Sequence, residues 1–188
     1  MRPEGVVFDR AARALCDIRP IDRAVGKLMV ERHYLGKWPG VTVLSLGLFS
    51  TDNAVGIIVY ALPPRETCKR YGCNVWELAR LWIDDCMPSN TESWFIAQSI
   101  RYIRKNRSDV EALVSYADPS QGHSGAIYKA TNWRVDGKTD EGRKTPRCDY
   151  MCASTGKKYS RKSHIPSSVE IVRVPRISKH RFFYDLRS

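Results

Sequence analysis

No run of apolar residues in this chain approaches the ~20 needed to span a bilayer, so a membrane-spanning helix is not expected. The opening residues, Met1 to Gly5, lack the apolar core of a signal peptide, and the expectation is a cytoplasmic protein. There is no internal repeat, which argues against a solenoid. Tight CxxC pairs are also missing. The pairs Cys68/Cys73 and Cys148/Cys152 are more widely spaced than a structural zinc site favours, and with Cys16 and Cys86 they read as isolated reduced thiols. Acidic residues are in the minority, with 20 Asp and Glu against 31 Lys and Arg and a formal charge of +11. Such an imbalance is the electrostatic footprint of a surface that meets nucleic acid. A hydrophobic content of 43% excludes a disordered chain, and 188 residues suit one domain spanning 1–188.

The pattern along the chain alternates helices and strands. Residues 21–34 read as a helix capped by Asp22, with Ala24 and Leu28 at helical spacing, ending near Gly36 and Pro39. Residues 41–49 and 54–62 read as strands joined by the turn Thr51-Asp52-Asn53, an antiparallel hairpin. A polar loop is expected over 64–74, then a central strand over 75–83 that sets Glu77 and Arg80 on opposite faces if it is regular. Ser89 and Glu92 have capping-box spacing before a helix over 92–105 that ends in Arg101, Arg104 and Lys105. A strand over 111–116, a helix over 125–132, a strand from Trp133 and late strands over 169–174 and 181–185 follow. Between them, about 136–165 is a basic, polar insertion carrying Arg143, Lys144, Lys157 and Lys158.

Reactive side chains gather where the strand ending at Tyr116 gives way to a helix. Ligands on open α/β sheets bind at such carboxyl ends of strands. Asp118, held out of a helix by Pro119, suits a general base, a metal ligand or a helix cap. His123 sits between Gly122 and Gly125 and reads as a proton carrier, an iron ligand or ordinary surface. Tyr128 falls one helical turn beyond Ser124, as a proton donor or a buried aromatic. Ser120 and Ser124 are placed for cofactor contact or for capping. His33-Tyr34, with Lys37 and Trp38 in the loop behind, resembles a substrate lip where a base could stack. Arg80, a charge inside an apolar strand, needs a partner such as Glu77, Asp118 or a phosphate.

This order of elements matches an α/β (α+β) architecture, the GNAT-like acyltransferase fold with a mixed central sheet flanked by helices. GNAT enzymes usually hold the coenzyme A pyrophosphate on a glycine-rich loop at a helix N-terminus. The corresponding segment here, Asp85 to Glu92, has no glycine and is flanked by acids, which disfavours ordinary acetyl-CoA use. Four segments together resemble the Mom family of phage DNA-modification proteins: His33-Tyr34-Leu35-Gly36, Trp76 to Trp82, Tyr116 to Trp133 and Lys179 to Tyr184. The resemblance covers roughly residues 20–188 and implies a phage enzyme converting adenine in DNA to N6-carbamoylmethyladenine. The modified DNA would resist host restriction, and the protein would act in the host cytoplasm. By matching motif positions, His33, Tyr34, Arg80, Asp118 and Tyr128 are the implied catalytic set. Iron is the implied metal, with His33, Asp118 and His123 as its candidate ligands and His180 a further one. An acyl-CoA or other small donor is implied, and the target adenine must be flipped from double-stranded DNA. Lys37, Trp38, Arg101, Arg104, Lys105, Arg143, Lys144, Lys157 and Lys158 are the expected DNA contacts. The sequence leaves the oligomeric state open, a homodimer included. The rival readings are a conventional N-acetyltransferase and a non-catalytic DNA-binding protein.

Overall fold

A computed structural model describes residues 16–145, 147–159 and 164–188. The expectation for Met1 to Gly5, and the basic residues Arg161 and Lys162, lie outside them. The elements run β1 (Cys16–Pro20), α1 (Arg23–Val30), β2 (Thr42–Ser50), β3 (Asn53–Ala61), α2 (Arg65–Tyr71), β4 (Val75–Ile83), α3 (Thr91–Asn106), β5 (Ala112–Ala117), a 3-10 turn (Pro119–Gln121), α4 (Ala126–Lys129), β6 (Arg134–Lys138), β7 (Cys148–Cys152), β8 (Lys158–Tyr159), β9 (Ile171–Pro175) and β10 (His180–Asp185). Seven strands form a mixed sheet in the order β1-β2-β3-β4-β5-β10-β6, and β8-β7-β9 form a second, small sheet. The basic insertion therefore carries strands of its own.

The expected hairpin is present as β2 and β3, antiparallel around Thr51 and Asp52. Asp22 caps α1 by accepting the Ala24 amide at 2.7 Å. That helix buries Gly26, Met29 and Val30, whereas Leu28, expected on its apolar face, is 65% exposed. The expected loop over 64–74 is largely the short helix α2, whose polar sequence buries Thr67 alone. The Ser89/Glu92 capping box does not form: the residue before α3 is Asn90, left-handed at φ 66°, and it makes no side-chain cap. α3 instead gains its stability from burial of Phe95, Ile96, Ile100 and Ile103.

Two features of β4 shape everything that follows. First, it pairs in parallel with β5 only over Val75 to Glu77, after which the two strands part. Second, its pairing with β3 shifts register so that Ala79 is an extra residue between Leu78 and Arg80, a β-bulge. Side-chain parity reverses there. Before the bulge Trp76 and Leu78 pack with α3 residues such as Phe95, and after it Leu81 and Ile83 do. Val75, on the opposite face, packs near Tyr71 of α2, while Trp82 joins the α1 cluster with Val30.

Candidate active site

Where β4 and β5 part, a cleft of about 1060 Å³ opens through the sheet. Residues from both faces line it: Tyr128 and Ile127 from the α3 side, and Thr67, Tyr71 and Tyr116 from the α2 side. A side chain bridges the strands at the point where backbone pairing stops. Ser115, 1% exposed, donates its hydroxyl proton to the Leu78 carbonyl at 2.9 Å. Its oxygen lies 2.8 Å from the Tyr128 hydroxyl. A hydroxyl has one proton, so Tyr128 must donate to Ser115. Burial pushes the Tyr128 phenol up to about 12, which keeps it protonated at neutral pH.

The bulge corrects the expectation that Glu77 and Arg80 face apart. The inserted residue turns both toward the α1/α2 face, and both line the cleft. Arg80 is fixed by two backbone carbonyls, Lys37 O at 2.8 Å from Nε and Ala79 O at 2.6 Å from Nη1. None of its expected partners forms a salt bridge with it, so a half-buried cation remains for an anion or a polarised oxygen. Burial lowers its pKa, and Tyr34 and Glu77 oppose that. Glu77 is pushed up to about 7 by desolvation, with Arg80 and Lys179 pulling the other way.

The lip after α1 is built as expected in part. His33 and Tyr34 stack with ring centroids 4.3 Å apart, and His123 meets Tyr34 edge-on at 5.1 Å. All three line the cleft. Burial, with Arg80 and His123 nearby, lowers His33 to about 4, so the ring is neutral at pH 7. Its Nδ1 accepts the Leu35 amide at 3.1 Å, which leaves the proton on Nε2 as a donor. Trp38 departs from expectation. Its indole packs on α1, where a Cβ at Gly26 would lie 3.1 Å from the ring, and its Nε1 is buried without a partner. It is partly buried against the α1 cluster and does not line the cleft.

Asp118 takes the capping role. Its Oδ1 accepts the Ser120 amide at 3.0 Å and the Ser120 hydroxyl at 2.6 Å, and Oδ2 pairs with Lys179 at 3.0 Å. Desolvation would raise its pKa, but the Ser120 and Lys179 bonds outweigh this and lower it. Asp118 and Ser120 do not line the cleft, whereas Lys179 and Ser124 do. A carboxylate so engaged positions Lys179 and is poorly suited to take a proton. Ser124, expected on one face with Tyr128, is exposed where Tyr128 is buried.

Iron needs a converging donor set, and the described residues do not supply one. No group of three or more His, Cys, Asp or Glu that could hold a metal gathers among the described residues. His33 Nδ1 and both Asp118 oxygens are engaged as above, and His180 opens β10 without joining them.

The expected DNA cations divide into separate places. Arg101 and Arg104 line a different cavity of about 340 Å³ beside α3. Arg104 also bonds the Leu186 and Ser188 carbonyls. Arg143 pairs with Asp140, Lys157 lies over Tyr159, and Lys158 sits in β8. Lys37, Lys105 and Lys144 are exposed. The cleft has its own cations, Arg32, Arg70, Arg147, Lys179 and Arg181, mostly overlooked in the sequence. Arg181 is 9% exposed, paired with Asp136 at 3.1 Å. Its signal was the Lys179-His180-Arg181 motif, and that of Glu77 was an acid placed inside an apolar strand.

The segment from Asp84 to Asn90 brings no phosphate cradle. Asp84 accepts the Cys86 amide at 3.1 Å, and the Thr91 hydroxyl closes back on the Pro88 carbonyl at 2.6 Å.

Solved structures share this fold. An acetyltransferase from Bacillus cereus superposes with a TM-score of 0.54 at 10% identity, covering 90% of this chain and 99% of its own. An N-acetyltransferase from Staphylococcus aureus gives 0.52 at 13% identity, over 92% and 99%. A Bacillus subtilis acetyltransferase in complex with CoA gives 0.53 at 7% identity, over 90% and 97%. The fold is that of the GNAT acetyltransferases. Among curated proteins, the methylcarbamoylase Mom of Escherichia phage Mu is 34% identical over 112 residues, 56% of this chain and 46% of that protein. The match thus spans less than half of the curated relative. The model of the Mom protein family matches residues 16–188, and with the splayed β4–β5 cleft and its motifs in place, the chain belongs to that family.

Proposed function

We propose that this protein transfers a carbamoylmethyl group to N6 of adenine in phage DNA and so shields that DNA from host restriction. The observation that carries the reading is the similarity to the phage Mu methylcarbamoylase together with the motif residues His33, Tyr34, Arg80 and Tyr128 gathered at one cleft. The adenine enters flipped from the duplex, because the duplex hides its reacting atom. N6 is a poor nucleophile, its lone pair being delocalised into the ring, so orientation must supply much of the acceleration. The Tyr34 and His123 rings at the mouth suit a planar base, and the His33 Nε2–H can donate to it. Arg80 stabilises negative charge on the donor as the bond to N6 forms. The buried Tyr128–Ser115 pair holds a proton that a leaving group can take. Phosphates meet Arg32, Arg70, Arg147 and Lys179, with the exposed Lys37, Lys144 and Lys158 beyond, and binding weakens steeply with salt.

The donor is a small activated molecule, of acyl-CoA type or another. The absence of glycine from Asp84 to Asn90 favours a donor other than ordinary acetyl-CoA. The site acts within the host cell. A conventional N-acetyltransferase is favoured by the fold alone. The test is mass spectrometry of nucleosides from cells expressing the chain. An adenine adduct carrying one carbamoylmethyl group supports the proposal. Unmodified DNA with a new N-acetyl product elsewhere supports the acetyltransferase, and unmodified DNA with simple DNA retention supports a binding protein.

A further inference from the structure

The β4 bulge sets two charged residues on the α1/α2 face of the cleft, and the fixed Arg80 is one of them. The other is Glu77, whose carboxyl makes no hydrogen bond or ion pair to any described residue, although it lines the cleft where β4 and β5 part. Desolvation makes its carboxyl neutral over much of the range up to about 7. A neutral carboxyl offers one O–H donor beside one C=O acceptor. Adenine offers the complement, an amino N–H beside a ring-nitrogen acceptor.

We propose that Glu77 reads the target base by a paired donor and acceptor contact with the 6-amino group of adenine and the adjacent ring nitrogen. This rests on the reading above, in which a flipped adenine enters the cleft. The side of the sheet identifies the ligand. Glu77 shares the α1/α2 face with Tyr116, whose hydroxyl meets Thr67 at 3.0 Å, and the cleft cations Arg70, Arg147 and Lys179 suit a DNA backbone. The buried Ser115–Tyr128 pair stands on the α3 side. An ionised Glu77 has no proton to donate and turns its charge on the ring-nitrogen lone pair, so base selection weakens as it ionises.

The groups that face Glu77 are Arg80 on its own strand, Lys179 before β10, Tyr116 of β5 and Tyr128 of α4. Both tyrosines are raised above their ordinary value, leaving Glu77 as the acid in this set that changes charge near neutral pH.

The test uses the purified full chain and a duplex oligonucleotide with one mismatched, readily extruded adenine. Otherwise identical duplexes carry 1-deazaadenine or 7-deazaadenine, each of which keeps the 6-amino group but lacks one of the ring nitrogens beside it. Fluorescence anisotropy gives the affinity ratio at about pH 6 and about pH 8.5, either side of the carboxyl transition. Wild type should prefer adenine roughly tenfold over one of the two analogues at the lower pH, as expected of the O–H contact to that ring nitrogen, and lose most of that preference at the higher. Glu77→Gln keeps a donor and an acceptor without titrating, so its preference should persist at both. Glu77→Leu should show none at either. His33 and His123 remain in both variants, so a pH response absent from Glu77→Gln belongs to Glu77. The proposal is overturned if Glu77→Leu keeps the preference, if Glu77→Gln loses it, or if wild type shows none or shows one independent of pH. Failure of the wider reading looks different: no adenine adduct forms in cells, whatever these affinities are.

Discussion

Replacing Ser115 by alanine should weaken the fold more than its size suggests, because its hydroxyl closes the point where β4 and β5 part. The Ser115 hydroxyl serves two partners, the Leu78 carbonyl at 2.9 Å and the Tyr128 hydroxyl at 2.8 Å. Its loss strands a carbonyl and a phenol, each costing about 1–3 kcal/mol when unsatisfied. Since the cleft admits water to part of this region, the low end of the combined range applies, roughly 2–3 kcal/mol. For a chain of this length that lowers the melting temperature by roughly 4–12 °C. Tyr128→Phe removes one bond yet leaves Ser115 donating to Leu78, so it should cost only about 0.5–1.5 kcal/mol. In the Ser115→Ala background the Tyr128 hydroxyl is already stranded. Removing it as well should cost little, and the double variant should resemble Ser115→Ala. Urea denaturation of the four proteins measures the cycle. If Tyr128→Phe costs as much as Ser115→Ala, or if the two losses simply add, the bridge is not organised as described.

Further outcomes follow from the same geometry. Arg80→Lys loses the planar fork that holds the Lys37 and Ala79 carbonyls, and should cut DNA modification at least tenfold, or about 1.4 kcal/mol in the transition state, with melting temperature nearly unchanged. Full activity in that variant would show that only charge is needed there. Gly125→Ala should cost about 2–5 kcal/mol, since φ is +77° and the added Cβ would lie 2.1 Å from the Phe182 ring. A soluble variant with an unshifted urea midpoint would refute this packing. His33 is lowered from 6.5 to about 4 on folding, so between those values the unfolded chain binds more protons. Its contribution to stability is complete above 6.5 and is lost as pH falls toward 4, and His33→Asn should flatten that part of the curve. An NMR titration of the ring with a midpoint near 6.5 would contradict the burial.

Much of the fold was legible because local signals were strong. The apolar run over 75–83 gave β4 its bounds, the Thr51-Asp52-Asn53 turn located the hairpin, and Asp22 capped its helix. The bulge at Ala79 was not legible, since nothing in Leu78-Ala79-Arg80 signals an unpaired residue and only the register against β3 reveals it. That register decided where Glu77 points. The packing of Trp38 was not legible for a similar reason: its loop composition suggests an exposed lip, while the nearby Gly26 makes room for the ring to pack partly buried on α1. Asp118 sits at the end of the expected strand, yet its engagement with Lys179, sixty-odd residues away in sequence, depends on β10 pairing beside β5. Short polar elements such as α2 carry too little periodicity to be seen.

The central claim is that this cleft modifies adenine in DNA, and nucleoside mass spectrometry on DNA from expressing cells addresses it most directly. Wild type should yield deoxyadenosine carrying one carbamoylmethyl group, and Arg80→Lys should yield at least tenfold less. Unmodified deoxyadenosine from cells holding abundant folded wild-type protein would contradict the account.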